Sequence, residues 1–135
     1  MSQTLKSEPV RQLLQGKNFG YLATLMPDGS PQVTPTWLDT DDEHVIVNTA
    51  LGRLKYENIL RDPRVAISVA DQANPYSMVT VRGRVVEHTT AGAEEHIDKM
   101  AKKYMGLEKY PGRAPGEKRV LLKIKPSKIF LQKYG

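Results

Sequence analysis

The chain has 135 residues, 39% apolar and 26% charged, with ten Gly, nine Pro and no Cys, which suits one globular domain over residues 1–135. The missing cysteine excludes disulfides, thiol catalysis, iron–sulfur clusters and cysteine zinc sites together. Twenty Lys and Arg against fifteen Asp and Glu leave a formal charge of +5; this is either ordinary solubilising charge or attraction for an anionic partner, and the placement of the cations must decide.

The opening stretch, MSQTLKSEPVRQLLQ, has no apolar region of the kind that directs secretion, and no run of about 18 apolar residues follows. A cytoplasmic protein without a membrane span is expected. Val10, Leu13 and Leu14 recur at helical spacing between Ser7 and Gly16, predicting a short helix with Gly16 as its stop. Phe19 to Leu25 reads as a strand. Met26-Pro27-Asp28-Gly29-Ser30 is turn chemistry, with Pro presetting φ and Gly free to take positive φ. Pro31 to Leu38 is then the returning strand of a hairpin. Because proline cannot donate to a ladder, an interruption at Pro35 is expected.

Asp39 to Glu43 reads as a polar turn, Val45 to Thr49 as a third strand, and Gly52 to Arg61 as a helix that Pro63 cannot continue. Val65 to Val69 is the fourth strand and Tyr76 to Glu87 a long fifth one, with Gly83 marking a bulge or bend. Thr90 can cap the next helix, which carries Glu94 and Glu95 in its first turn and one apolar face of Ile97, Met100, Ala101 and Tyr104. Gly106 can end it. Tyr110 to Glu117 is a Pro- and Gly-rich loop, and two last strands, Arg119 to Lys125 and Lys128 to Gln132, flank a Pro126-Ser127 turn. About seven strands joined mainly by hairpins favour a mainly β, antiparallel sheet closed into a barrel, not a doubly wound parallel fold.

Common catalytic signatures are missing. There is no Walker A sequence, no G-x-G-x-x-G after a strand, no H-E-x-x-H and no G-x-S-x-G. His44, His88 and His96 are scattered, so neither a metal site nor a hydrolytic triad is expected. One segment concentrates useful groups: Asn48-Thr49-Ala50-Leu51-Gly52-Arg53-Leu54-Lys55-Tyr56-Glu57-Asn58 runs from a strand end through a Gly turn into a helix. A helix start offers free N–H groups and positive potential to an anion. Arg53 adds a planar fork, Lys55 a mobile charge and Thr49 a hydroxyl. The alternative is a helix with ordinary basic surface residues.

With these segments in place, the chain resembles the pyridoxamine 5′-phosphate oxidase-like split-barrel family of flavin and deazaflavin proteins. It is most similar to a small branch of coenzyme F420-dependent oxidoreductases. The resemblance spans about Val10 to Leu131. It rests on ordered blocks: Gly20 to Leu25, Asp28 to Val33, the Asn48 to Lys55 turn, Asn58 to Val65, and Val81 to Val85.

The resemblance implies an antiparallel split β-barrel of six or seven strands, forming a homodimer with two cofactor sites between subunits. It places the cofactor phosphate on Arg53 and Lys55, with Asn48 and Thr49 nearby, and the tricyclic ring along Thr34, Pro35, Thr36 and Trp37. Tyr76 is the candidate aromatic wall from the second subunit. Trp37 can instead serve core or interface packing, and Arg82 and Arg84 read as solvated or interface residues. The implied function is hydride transfer between coenzyme F420 and a small organic electron acceptor. FMN in the same fold, or a protein that stores cofactor without turnover, are the alternatives. Nucleic-acid binding is not expected, since the basic residues lack interleaved aromatics and a reading helix.

Overall fold

The computed structural model describes residues 3–133. Its elements in chain order are α1 (Glu8–Gln15), β1 (Gly20–Leu25), β2 (Pro31–Thr36), β3 (Leu38–Thr40), β4 (Val45–Ala50), α2 (Leu54–Arg61), β5 (Arg64–Ala70), β6 (Met78–Thr89), α3 (Ala93–Met105) and β7 (Arg119–Gln132). The seven strands form one antiparallel sheet in the order β2-β1-β5-β6-β7-β4-β3. The sheet curls into a half-barrel, and the two edge strands, β2 and β3, are consecutive in sequence without being paired. That unpaired seam makes the barrel split.

The strand number agrees with expectation while two of the strands do not. The hairpin partner of β1 does not break at Pro35, which keeps its register opposite Tyr21. Pro35 is tolerated because β2 is an edge strand, where a missing donor costs little. The break falls at Trp37 instead, and the chain re-enters the sheet at the far edge as β3, taking in Asp39 and Thr40 that read as turn. At the other end, Pro126-Ser127 is no turn: β7 runs unbroken past it. The register slips from Arg82 opposite Lys128 to Gly83 opposite Pro126, so Ser127 bulges and its hydroxyl donates to Arg82 O at 3.0 Å. A Cβ on residue 83 would collide with the Lys125 carbonyl, so glycine is needed for close approach of the two backbones.

Alternation sorts the faces. Leu22, Ile67, Val69, Val79, Val81, Val120, Leu122 and Ile124 fill the concave side, and α1 covers them with Val10, Leu13 and Leu14. β4 is buried throughout, because α3 packs across β4 and β7 on their outer side. This gives a second, smaller core of Ile97, Met100 and Tyr104, with Trp37 and Tyr110 against it. Gly92, at φ 75°, rather than Thr90 occupies the α3 cap position, and no side chain caps that end. The Met26–Ser30 turn forms as expected: Gly29 has φ 85°, and Asp28 Oδ1 accepts from the Ser30 N–H at 2.9 Å. Among the described residues no helix is long and apolar enough to cross a membrane.

Candidate functional site

A cleft of about 230 Å³ opens where the seam meets the start of α2. It is lined by Phe19, Pro35, Thr36, Trp37, Asn48, Thr49, Arg53, Lys55, Ile97, Tyr110 and Arg119. Seven of the nine residues singled out from the sequence therefore meet in one place. Thr34 does not: opposite Leu22 it turns to the concave side, where its hydroxyl is buried without a hydrogen-bond partner. Tyr76 does not either. It stands 69% exposed in the β5–β6 connection, outside this chain's cleft.

One end of the cleft is cationic. β4 ends at Ala50, Gly52 takes φ 86°, and Arg53 occupies the N-cap position of α2. The Arg53 backbone carbonyl accepts from the Tyr56 and Glu57 N–H groups at 3.0 and 3.1 Å, while its donor-only guanidinium, which cannot cap the helix N–H groups, is directed elsewhere. The Leu54 and Lys55 N–H groups lie in the first helical turn, where no residue of the helix can accept from them. Nothing crowds Gly52, so a ligand can reach this backbone.

Lys55 is half-buried, and desolvation holds its ammonium below the ordinary lysine range, aided by the neighbouring Arg53 and Arg119 charges. No carboxylate lies within ion-pair distance of it among the described residues.

The sequence reading missed Arg119. Its side chain is 5% exposed and anchored from beneath: Nε donates to Asn48 Oδ1 at 2.8 Å and Nη2 to Asn48 O at 3.3 Å. Asn48 is itself fixed, since its Nδ2 donates to Ala93 O at 2.8 Å and lies 3.2 Å from His96 Nδ1. The β4–β7 register, with Thr49 opposite Val120 and Ala50 opposite Arg119, brings this arginine under Arg53 and Lys55. No local pattern joins Asn48 to a residue 71 positions later. Only the strand partner could have revealed it.

The other end is aromatic. Trp37 stacks on Tyr104 at 5.2 Å and meets Tyr110 edge-on at 5.8 Å, while Phe19 stacks on Tyr104 at 5.7 Å. Trp37 packs against the smaller core and also lines the cleft. Tyr104 holds the array in place. Its hydroxyl donates to Asn18 O at 2.7 Å and accepts from the Leu38 N–H at 3.1 Å, and burial pushes the phenol up to about 12, so it remains neutral. Lys103 donates to Leu14 O at 3.0 Å and Leu38 O at 2.8 Å, so α3 also covers the polar backbone of edge strand β3.

A cationic end beside a flat aromatic end is the division that a phosphate-bearing ring compound needs. Comparison with known proteins agrees. Residues 7–133 match the family model described as pyridoxamine 5′-phosphate oxidase. The chain belongs to this family. Within its structures, an F420 reductase is 32% identical, with a TM-score of 0.78 over 89% of this chain and 94% of that one. General Stress Protein 26 from Bacillus anthracis is 20% identical (TM-score 0.70, covering 93% and 92%). An FAD-binding protein from Mesorhizobium loti is 23% identical (TM-score 0.65, covering 94% of each). These last two share the fold.

Family members hold flavin-type cofactors, and the residues present fit such a group: a half-buried Lys55 without an ion-pair partner among the described residues, beside two guanidinium groups, suits its phosphate, and Trp37 with Pro35 suits its ring.

Proposed function

We propose that this protein is a cytoplasmic, coenzyme F420-dependent reductase that delivers a hydride to a small organic acceptor. The observation that carries the reading is Lys55, a cation held partly out of water beside Arg53 and Arg119 with no carboxylate in ion-pair distance among the described residues. Such an arrangement is unfavourable in the free protein and is relieved by an anion. The 32% identity to an F420 reductase over most of both chains supports the deazaflavin over other phosphate-bearing rings. When bound, the cofactor supplies a hydride at a ring carbon, so the protein needs no acid–base pair to generate the reductant.

The residues of the chain then bind, orient and exclude water. Arg53 and Lys55 hold the phosphate, with Thr49 and the Leu54 and Lys55 N–H groups as further donors. Asn48 acts through Arg119, which it positions. Pro35, Thr36 and Trp37 flank the ring, and Phe19 and Tyr110 keep that end apolar. Placing the acceptor about 3–3.5 Å from the donor carbon is the remaining task.

The proposal includes a homodimer. Tyr21, Val33 and Phe130 are exposed apolar side chains on the convex face, which joins the cleft through Pro35. A second subunit seated there would cover them, and Tyr76 of the partner subunit would complete the aromatic wall. Thr34, being turned inward, is left out of the ring contacts.

The test is titration with coenzyme F420 and, separately, FMN, followed by Trp37 emission. Saturable binding of coenzyme F420 at least about tenfold tighter than FMN, equivalent to about 1.4 kcal/mol, is expected. A preference for FMN would move the protein to the flavin branch. Binding of neither, by emission and by equilibrium dialysis, would overturn the reading. Sedimentation as a monomer with full cofactor affinity would overturn the dimer.

A further inference from the structure

The cationic end already contains an anion. Glu117 closes the 107–118 loop between α3 and β7, with its side chain only 9% exposed. One carboxylate oxygen accepts from Arg119 Nη1 at 3.2 Å and the other from Arg53 Nη2 at 3.5 Å. It therefore sits between the two guanidinium groups, where the cleft offers most to a phosphate. The other nearby carboxylate, Glu94, faces away, engaged with Arg113 at 3.1 Å and the Arg119 backbone N–H at 2.9 Å.

We propose that Glu117 is a resident substitute for the ligand's phosphate, displaced when the ligand binds, and that it sets how much negative charge a ligand must bring. This rests on the reading of Arg53 and Lys55 as the anion subsite.

Three observations separate this role from an ordinary structural ion pair. First, Arg119 does not need Glu117 for its position, because Asn48 holds Nε and Nη2 independently. Second, the Arg53 contact is long and Arg53 is 54% exposed, so that half of the carboxylate's pairing costs little to release, and the buried Arg119 half must be replaced by the incoming anion. Third, one carboxylate does not balance three cations: among the described residues Glu117 pairs with Arg53 and Arg119 and no carboxylate pairs with Lys55, so the site retains affinity for a further anion while Glu117 is in place. A weakly charged ligand cannot displace the carboxylate. A phosphate can, since it bonds both guanidinium groups and Lys55 at once. Gly116, at φ 76°, and the Glu117 N–H bond to Ala114 O at 3.1 Å shape the turn that presents this side chain, and Tyr110 of the same loop lies over Arg119 at 5.3 Å. Displacing Glu117 thus frees one of the contacts tying the loop to the cleft.

The experiment measures binding of inorganic phosphate to the full chain at constant ionic strength, by Trp37 emission and by calorimetry, in the parent protein and in Glu117→Gln, Glu117→Asp and Lys55→Ala. Removing a competing carboxylate should tighten phosphate binding about tenfold in Glu117→Gln. Glu117→Asp, whose shorter side chain is withdrawn from Arg53, should show a smaller gain, and it carries the test if the amide variant fails to fold. Lys55→Ala should weaken binding. If phosphate binds folded Glu117→Gln as well as or worse than the parent, while Lys55→Ala still weakens it, Glu117 merely orients the arginines and the inference fails alone. If the parent binds no phosphate, or neither Lys55 nor Glu117 affects it, the anion subsite itself is wrong and both fall.

Discussion

Two regions of this molecule are rich in cations, and they differ in what stands behind the charge. On the convex sheet face, Arg64, Arg82 and Arg84 on β5 and β6 and Lys125 on β7 rim a broad groove of about 680 Å³. The three arginines there are exposed on the strands, and Arg64 is neutralised by a two-pronged contact with Asp62 at 2.7 and 3.0 Å. In the cleft, by contrast, Arg119 is buried and fixed by Asn48, Lys55 is half desolvated, and a helix start adds its N–H groups. Charge in water is cheap and weakly selective, whereas charge held partly out of water attracts an anion strongly. The formal +5 of the chain says nothing about this difference. Burial does.

The comparison breaks most visibly at Gly83. If the convex face is a structural surface, its critical residue is this glycine and not the arginines beside it. Gly83→Ala forces a methyl group into the Lys125 carbonyl and should cost about 3 kcal/mol, the upper end of overpacking, in chemical denaturation. Arg82→Ala and Arg84→Ala should change stability by less than about 0.5 kcal/mol and leave cofactor affinity unaltered. An affinity loss in either arginine variant, with the dimer still intact by sedimentation, would make these arginines part of the binding site.

In the cleft the order reverses, and the charged residues carry the effect. Arg53→Ala or Lys55→Ala should weaken cofactor binding by about 1.5–3 kcal/mol each, the range for hydrogen bonds to charged groups. The binding isotherm from the cofactor titration reads this directly. Unchanged affinity in both variants would leave the two basic regions equivalent.

A pH series sharpens the distinction. Burial and neighbouring cations lower the Lys55 pKa, so the free protein loses that charge at a lower pH than an ordinary lysine does, near 10.4. Affinity for the anionic cofactor should therefore fall as pH rises toward that value, with proton uptake on binding. Lys55→Arg, which stays charged throughout, should remove the decline. A decline that persists in the arginine variant would assign the titration to another group.

These expectations depend on how much of the site could be read from the chain. The Thr49-to-Lys55 segment was legible because its chemistry is local: strand end, glycine, helix start and two cations within seven residues. The Met26–Ser30 turn and the apolar stripes of α1 and α3 were legible for the same reason. What escaped depends on strand pairing. Pro126 looked like a turn because proline seldom sits within a sheet, yet Gly83 on the facing strand gives it a bulge to occupy. Thr34 and Pro35 are neighbours with opposite fates, since strand residues alternate faces and the register with β1 decides which is inside. Arg119 reaches the cleft only through the β4–β7 register.

The smallest expected effect concerns two aspartates that divide along the same line. Asp39, on β3 beneath the cleft, would be raised by its burial, but the His96 imidazole 3.6 Å away, the Thr40 N–H and the charges of Lys99 and Lys103 carry it down to about 2. Asp62 also titrates at about 2, because the surface guanidinium of Arg64 holds it there. Each folded value lies below the roughly 3.9 of an unfolded aspartate, so each contributes stability above about pH 4 that is lost as pH falls toward 2. The partly buried Asp39 contacts are screened less than the Arg64–Asp62 pair. Acid unfolding should therefore respond to Asp39→Asn at any ionic strength, with a shallower loss of stability between about pH 4 and 2, while the effect of Asp62→Asn should disappear in about 1 M salt. If both substitutions vanish equally with salt, the cleft is as open to solvent as the convex face, and burial is not what distinguishes its charges.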